Sequence, residues 1–217
     1  MKTLQFEQNQ LILFIGDSIT DTQRRETPYA PLGQGYVHFA ANFLAAKFPH
    51  LNLRFENRGI SGDTTRALLW RWKRDCLSLE PDIVSILVGI NDLWRQFANA
   101  AEMQRTHVPA EEYRKNLKSM INDVRNHCHS RIVLMEPFYF TTNQNDPMAQ
   151  GLIAYIEAVH ELADEFNAVL VLLQSAYEKQ KNDVPEEQWA WDKVHPHTWA
   201  HAWIARQWLL AASGPEM

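Results

Sequence analysis

Leu11-Ile12-Leu13-Phe14-Ile15, followed at once by Gly16-Asp17-Ser18, is an apolar run that stops in a turn. A short run with no polar alternation reads as a strand buried on both faces, the kind found inside parallel sheets. Working outward, Tyr36, Val37, Phe39, Ala40, Phe43, Leu44 and Phe48 repeat at helical spacing over 34–48, and Pro49 closes that helix. Leu51, Leu53 and Phe55 alternate with polar residues and predict a second strand. Thr64 to Asp75 reads as a helix with Leu68, Leu69 and Trp72 on one side, and Pro81-Asp82 opens a third strand over 83–88. A long helix follows over 111–127, then a strand at 131–135, a helix at 147–166 and a strand at 168–173. The last helix runs from after Pro196 to about Ala212. Strand and helix alternate, which predicts an α/β chain with a parallel sheet covered by helices on both faces. In such sheets ligands bind beyond the carboxyl ends of the strands. Ser18 follows the first strand, Gly59-Ile60-Ser61-Gly62 the second and Gly89-Ile90-Asn91-Asp92 the third, while Asp192 and His195 follow the fifth. All of them are expected along one edge of the sheet.

The chain has 217 residues and no Gly/Ser-rich or Pro-rich linker, so residues 1–217 are read as a single domain. A chain of this length buries roughly 70% of its unfolded surface and needs no staples. The net charge is -5 and no basic run occurs, which argues against a nucleic-acid partner. Cys76 and Cys128 are read as reduced thiols of a cytoplasmic protein. Met1 to Gln10 is polar, and the apolar run after it is too short for a signal-peptide core or a bilayer span, so no membrane partner is expected. Of the eight tryptophans, Trp189, Trp191, Trp199 and Trp203 fall close to Asp192 and His195. Most are assigned to core and interface packing, with stacking on a sugar ring left open for one or two.

A serine hydroxyl is a poor nucleophile at neutral pH and needs a base. His195 can serve if a carboxylate holds its other ring nitrogen, and Asp192 is close enough to do so within one tight loop. Attack on an ester creates an oxyanion, which requires donors already aimed at it. Gly62 can offer a backbone N–H, Asn91 a side-chain NH₂, and Ser18 its own N–H at the start of the next helix. Each fragment has a plain alternative. Gly-Asp-Ser is common as a turn and helix cap, Gly62 suits a left-handed turn, Asn91-Asp92 suits a cap, and Asp192/His195 suits a surface ion pair. Jointly, in this order and at successive strand ends, they point to nucleophilic hydrolysis. Two histidine clusters, His195/His197/His201 and His127-Cys128-His129, raise zinc as a rival, although no His-Glu-x-x-His helix occurs. Gly33-x-Gly35 lacks the third glycine of a dinucleotide fingerprint, and there is no Walker loop.

The blocks Gly16-Asp17-Ser18-Ile19-Thr20, Gly59-Ile60-Ser61-Gly62, Gly89-Ile90-Asn91-Asp92 and Asp192-Lys193-Val194-His195-Pro196 resemble those of the GDSL-type esterases, or SGNH hydrolases. Ile19 stands where many members carry Leu. The resemblance spans nearly the whole chain. It implies a three-layer α/β/α sandwich on a flavodoxin-like five-stranded parallel sheet, with Ser18 as nucleophile, His195 as base and Asp192 as its partner. The Ser18 amide, Gly62 and Asn91 would form the oxyanion hole, with no metal and no cofactor. Within the family the chain is similar to intracellular acetyl esterases of xylo-oligosaccharides, through Gly89 to Gln96, Pro137-Phe138-Tyr139, Asp146-Pro147-Met148 and Ala190-Trp191-Asp192. That likeness implies small acetylated sugars as substrates, an acetyl-serine intermediate and a homo-oligomer. Asp17, Trp94, Arg95 and Trp191 are assigned to substrate binding on the same ground. The competing readings are a thioesterase or lysophospholipase-type acyl hydrolase and a non-catalytic carbohydrate-binding protein. The expected rims of the site, 21–33, 93–108 and 141–150, are mixed or polar, with Arg24, Arg25, Glu26, Arg95, Gln96, Asn143, Gln144 and Asn145, and favour a small acyl group on a polar alcohol.

Overall fold

A computed structural model of the chain describes residues 3–26 and 30–214. Five strands form one sheet: β1 (Leu11–Gly16), β2 (Arg54–Gly59), β3 (Ile83–Leu87), β4 (Arg131–Met135) and β5 (Val169–Val171). All pairs are parallel, in the order β2-β1-β3-β4-β5. The helices among the described residues are α1 (Ser18–Asp21), α2 (Tyr36–Lys47), α3 (Thr65–Asp75), α4 (Ile90–Trp94), α5 (Ala101–Gln104), α6 (Ala110–His127), α7 (Pro147–Glu165), α8 (Leu173–Gln180), α9 (Glu186–Trp189) and α10 (Thr198–Ser213). Helices α2, α8 and α10 pack together as one layer, and α3, α6 and α7 as the other. None of the described helices is long and apolar enough to cross a membrane.

The central strands explain themselves. Every residue of β1 and β3 is buried, because helices cover both faces. Phe14 packs between Tyr36 of α2 and Trp208 of α10, with ring centroids 5.9 and 5.2 Å away. β2 is an edge strand, and its sequence is correspondingly polar. Its buried Asn57 donates to Thr20 O at 2.7 Å and Leu32 O at 2.9 Å, tying the loop after α1 to the sheet.

Two strand ends and one helix depart most from the sequence expectation. The second strand begins at Arg54, not near Leu51, because Pro49–Leu51 forms a 3₁₀ turn and Asn52 is left-handed at φ 48°. The fifth strand ends at Val171. Leu173, expected in that strand, starts α8, a helix with no counterpart in the sequence reading. Its first turn is fixed from outside: buried Glu136, just past β4, accepts hydrogen bonds from Ser175 N and Oγ, both at 2.9 Å.

The register places the chemistry. Gly16 at the end of β1 lies opposite Gly59 on β2 and Leu87 on β3. The segments that follow each strand therefore emerge side by side. Gly16 is required there, since a Cβ would collide with the Leu87 carbonyl oxygen.

Candidate active site

Ser18 is the first residue of α1, directly beyond β1. Asp17 caps that helix, its Oδ1 accepting from Ile19 N at 3.0 Å, and so shapes the turn that presents Ser18. From the far end of the chain, the loop before α10 brings His195 over it. Ser18 Oγ and His195 Nε2 are 3.0 Å apart, and His195 Nδ1 and Asp192 Oδ2 are 2.6 Å apart. Asp192 Oδ1 also accepts from His195 N at 2.8 Å and Val194 N at 3.0 Å. Burial pushes the Asp192 carboxyl up, but the hydrogen bonds from the His195 ring and these two amides outweigh it and hold the group below its ordinary value. Lys193 takes a left-handed φ of 66°, which lets the Asp-x-x-His loop close on itself, and its carbonyl accepts from Phe140 N at 2.9 Å.

Gly62 and Asn91 stand beside Ser18 in the lining of a cleft of about 920 Å³, together with Ser61 and His195. Asn91 Nδ2 donates one hydrogen to Asp63 O at 3.1 Å, which leaves its second N–H for a ligand. Ser61 Oγ donates to Asp21 Oδ2 at 3.1 Å, whereas His195 is directed at Ser18. The outer wall carries Thr22, Gln23, Arg25, Glu26 and Gln34. Of the expected rims, the 21–33 segment thus borders the cleft, and its residues 27–29 lie outside the described residues. Segments 93–108 and 141–150 contribute nothing to that lining.

The residues assigned to the substrate are placed elsewhere. Asp17 lies beneath the serine, 1% exposed. Trp94, Arg95 and Trp191 are not among the cleft-lining residues. Trp191 points to solvent, 75% exposed, and Arg95 Nη2 donates to Gly62 O at 2.6 Å. Trp189 is core, packed on Trp199 at 4.7 Å and Trp203 at 5.0 Å.

Beneath the cleft lies a group of carboxyls held toward neutrality. Burial pushes Asp17 up to about 7, against the Ile19 amide and with help from the nearby charges of Asp92 and Asp63. Burial likewise takes Asp92 to about 6, against hydrogen bonds from Thr65 N and Oγ1. Asp63 is raised by burial and opposed by Arg71. Burial thus brings the titration of Asp17 and Asp92 from the acid range up toward neutral pH.

The two histidine clusters do not converge. His197 Nε2 meets Glu187 O at 3.1 Å, and His201 Nδ1 accepts from Tyr36 N at 3.3 Å. His127 Nδ1 lies 2.8 Å from Asp123 O. No group of three or more His, Cys, Asp or Glu among the described residues could hold a metal ion.

The sequence model of the GDSL-like Lipase/Acylhydrolase family matches residues 14–203. The chain belongs to that family. Membership makes this GDSL chain a serine-type ester hydrolase and removes the reading as a non-catalytic binding protein. It is 39% identical over 202 residues to an acetylxylan esterase of Geobacillus stearothermophilus, covering 91% of each chain. The crystal structure of Axe2, an acetylxylan esterase from the same organism, superposes with a TM-score of 0.90 at 37% identity, covering 96% of both chains. The structures of Axe2 include catalytic mutants in which a serine, a histidine or an aspartate is replaced by alanine. LAE5, an alpha/beta hydrolase from the metagenome of Lake Arreo, superposes with a TM-score of 0.89 at 34% identity, covering 95% of this chain and 96% of that one. The sheet order and helix layers of this GDSL hydrolase are those of the SGNH fold.

Proposed function

We propose that the protein removes acetyl groups from small acetylated sugars such as xylo-oligosaccharides, through an acetyl-Ser18 intermediate. The observation that carries this is the hydrogen-bonded chain Ser18–His195–Asp192, whose Ser18 and His195 line the cleft. Ser18 Oγ attacks the ester carbonyl while His195 Nε2 takes its proton. Asp192 holds the opposite ring nitrogen and stabilises the imidazolium. The oxyanion is met by the N–H groups of Ser18 and Gly62 and by the second Nδ2 hydrogen of Asn91. As the bond between carbonyl carbon and sugar oxygen breaks, His195 returns the proton to that oxygen. Water, deprotonated by His195, then attacks the acetyl-serine; the bond between the acetyl carbon and Ser18 Oγ breaks, His195 returns the proton to that oxygen, and acetate leaves. The walls at Gln23, Arg25, Glu26 and Gln34 suit hydroxyl-bearing alcohols, whereas a long acyl chain needs an apolar trench.

The same reading takes residues 1–217 as one domain acting in the cytoplasm as a homo-oligomer. Cys76 and Cys128 are unpaired, and Phe43, Trp70 and Trp191 expose apolar surface of the kind subunit contacts bury. Light scattering that returns the monomer mass removes the oligomer.

Ser18→Ala is expected to abolish hydrolysis of acetylated xylo-oligosaccharides and p-nitrophenyl acetate with thermal stability nearly intact. Phenylmethylsulfonyl fluoride is expected to add mass at Ser18. A comparable rate in the variant, or labelling at Ser61, overturns the assignment. Acyl-coenzyme A thioesters cleaved faster than the sugar acetates would transfer the substrate to the thioesterase class.

A further inference from the structure

The turn that carries Gly62 is closed by Asp63 N donating to Ile60 O at 3.2 Å. Gly62 has φ 83°, and Ser61 is not among the residues with positive φ, so the turn is of type II. It is held from two sides. On one, Asp21 Oδ2 accepts from Ser61 N at 3.0 Å and from Ser61 Oγ at 3.1 Å. On the other, two residues four apart on one helical segment donate to consecutive carbonyls. Asn91 Nδ2 reaches Asp63 O at 3.1 Å, and Arg95 Nη2 reaches Gly62 O at 2.6 Å.

This double tie has a mechanical consequence. The two oxyanion donors beyond Ser18 belong to different elements, the β2–α3 turn and α4. β2 is an edge strand, so no further strand steadies the turn on its outer side. Donors stabilise an oxyanion only if they are aimed before charge develops. Asp92 of α4 already accepts from Thr65 N and Oγ1 at the start of α3, and Asn91 holds Asp63 O; the bond from Arg95 is the tie that reaches the Gly62 carbonyl itself.

We infer that Arg95 is a positioning residue, which fixes the Gly62 N–H and the Asn91 amide at a set separation, and is not a group that grips the sugar. The inference rests on the proposed roles of Ser18, Gly62 and Asn91. It separates ground-state from transition-state effects, since a loosened oxyanion hole lowers turnover while leaving substrate binding alone.

The test is Arg95→Ala, with Arg95→Met, which keeps the stem's packing, in its place should the first variant fail to fold. With p-nitrophenyl acetate, kcat is expected to fall about tenfold, short of the about 10²–10³ that outright loss of a donor costs. KM should stay within about twofold, because uniform binding is untouched. The inhibition constant of a small alkylboronic acid, whose serine adduct places an oxygen in the oxyanion hole, should rise by the same factor as kcat falls. A raised KM at unchanged kcat, or an unchanged boronate constant, overturns the inference. So does a wild-type kcat that drops to the variant's value in about 1 M salt, where charges are screened within about 3 Å, because the effect would then be one of charge and not of placement. Failure here with Ser18→Ala inactive removes only the positioning role. Activity in Ser18→Ala removes the reading beneath it.

Discussion

At Gly62 a single residue type sets the backbone of the turn that carries one of the proposed oxyanion donors. A methyl group built there meets nothing within 4 Å, so substitution costs no steric clash. The cost lies in the backbone, since φ 83° is left-handed and costs an L-residue about 1–2 kcal/mol. Alanine relieves this by turning the Ser61–Gly62 peptide over, which carries the N–H away from Ser18. Gly62→Ala is therefore expected to lower kcat/KM by about 10²-fold with little change in melting temperature. Steady-state kinetics and thermal melting check it, and full activity would take the Gly62 amide out of the proposed oxyanion hole. Ser18, Gly62 and Asn91 could be placed along one edge of the sheet in advance because each follows a strand end, and Asp192 and His195 could be paired by their spacing, but that the loop beyond α9 lays His195 3.0 Å from Ser18 Oγ is a property of the fold alone. Arg95 and Asp21 could be seen but not understood. Arg95 binds a backbone carbonyl, and a carbonyl has no residue identity by which a sequence can announce it. For Trp94 and Trp191 the sequence supplied an aromatic near a motif, and neither residue lines the cleft in the fold.

The elements around the site are joined by one buried cation. Arg71 of α3 is 4% exposed and donates to Asp63 Oδ2 at 2.6 Å, Asp75 Oδ2 at 3.0 Å and Gly16 O at 3.1 Å. It thereby fastens α3, the Gly62 turn and the end of β1. Removing one partner of a buried pair leaves the other's charge uncompensated, at about 3–5 kcal/mol. Arg71→Met is expected to lose that much in urea denaturation, although Asp75 keeps its bond to Arg74 Nε at 2.7 Å. Adding Asp63→Asn should recover part of the loss by removing the stranded charge, and a double variant no better than the single one would show that Arg71 acts through packing alone. The order of the strands and long helices was readable because β1 is a continuous apolar run, β3 is one broken only by Ser85, and the long helices α6 and α7 carry apolar stripes. The edges were not. β2 carries polar residues because it borders the sheet, so apolar alternation drew attention to Leu51 and Leu53 instead. α8 owes its first turn to Glu136, a partner 39 residues away from Ser175, which no local pattern reports.

Across the whole molecule, titrations of opposite sign meet near the cleft. Burial, and then the neighbouring His195 charge, lowers His201 to about 4. The unfolded chain takes up that proton more readily, so the stability His201 confers is present above its ordinary 6.5 and is lost as pH falls toward 4. Asp17 and Asp92 run the other way. Raised by burial to about 7 and about 6, they hold protons more tightly when folded, so their contribution is present at low pH and fades as pH rises from 3.8 through those values. The His201 contribution is on the order of 3 kcal/mol and the Asp17 contribution on the order of 4 kcal/mol, and between pH 4 and pH 7 they oppose one another. Single variants should tilt the profile in opposite directions. His201→Asn keeps an acceptor for Tyr36 N but removes the rising contribution, so stability at pH 7 relative to pH 4.5 should fall below wild type. Asp17→Asn keeps the acceptor for Ile19 N and removes a falling contribution, so the same difference should rise above wild type. Chemical denaturation across this range reads both, and three parallel profiles would contradict the arrangement. The direction of the Asp17 effect shows what the fold concedes at this point. A carboxyl buried beneath Ser18 weakens the protein wherever it ionises, yet its hydrogen bond to Ile19 N shapes the turn on which Ser18 stands.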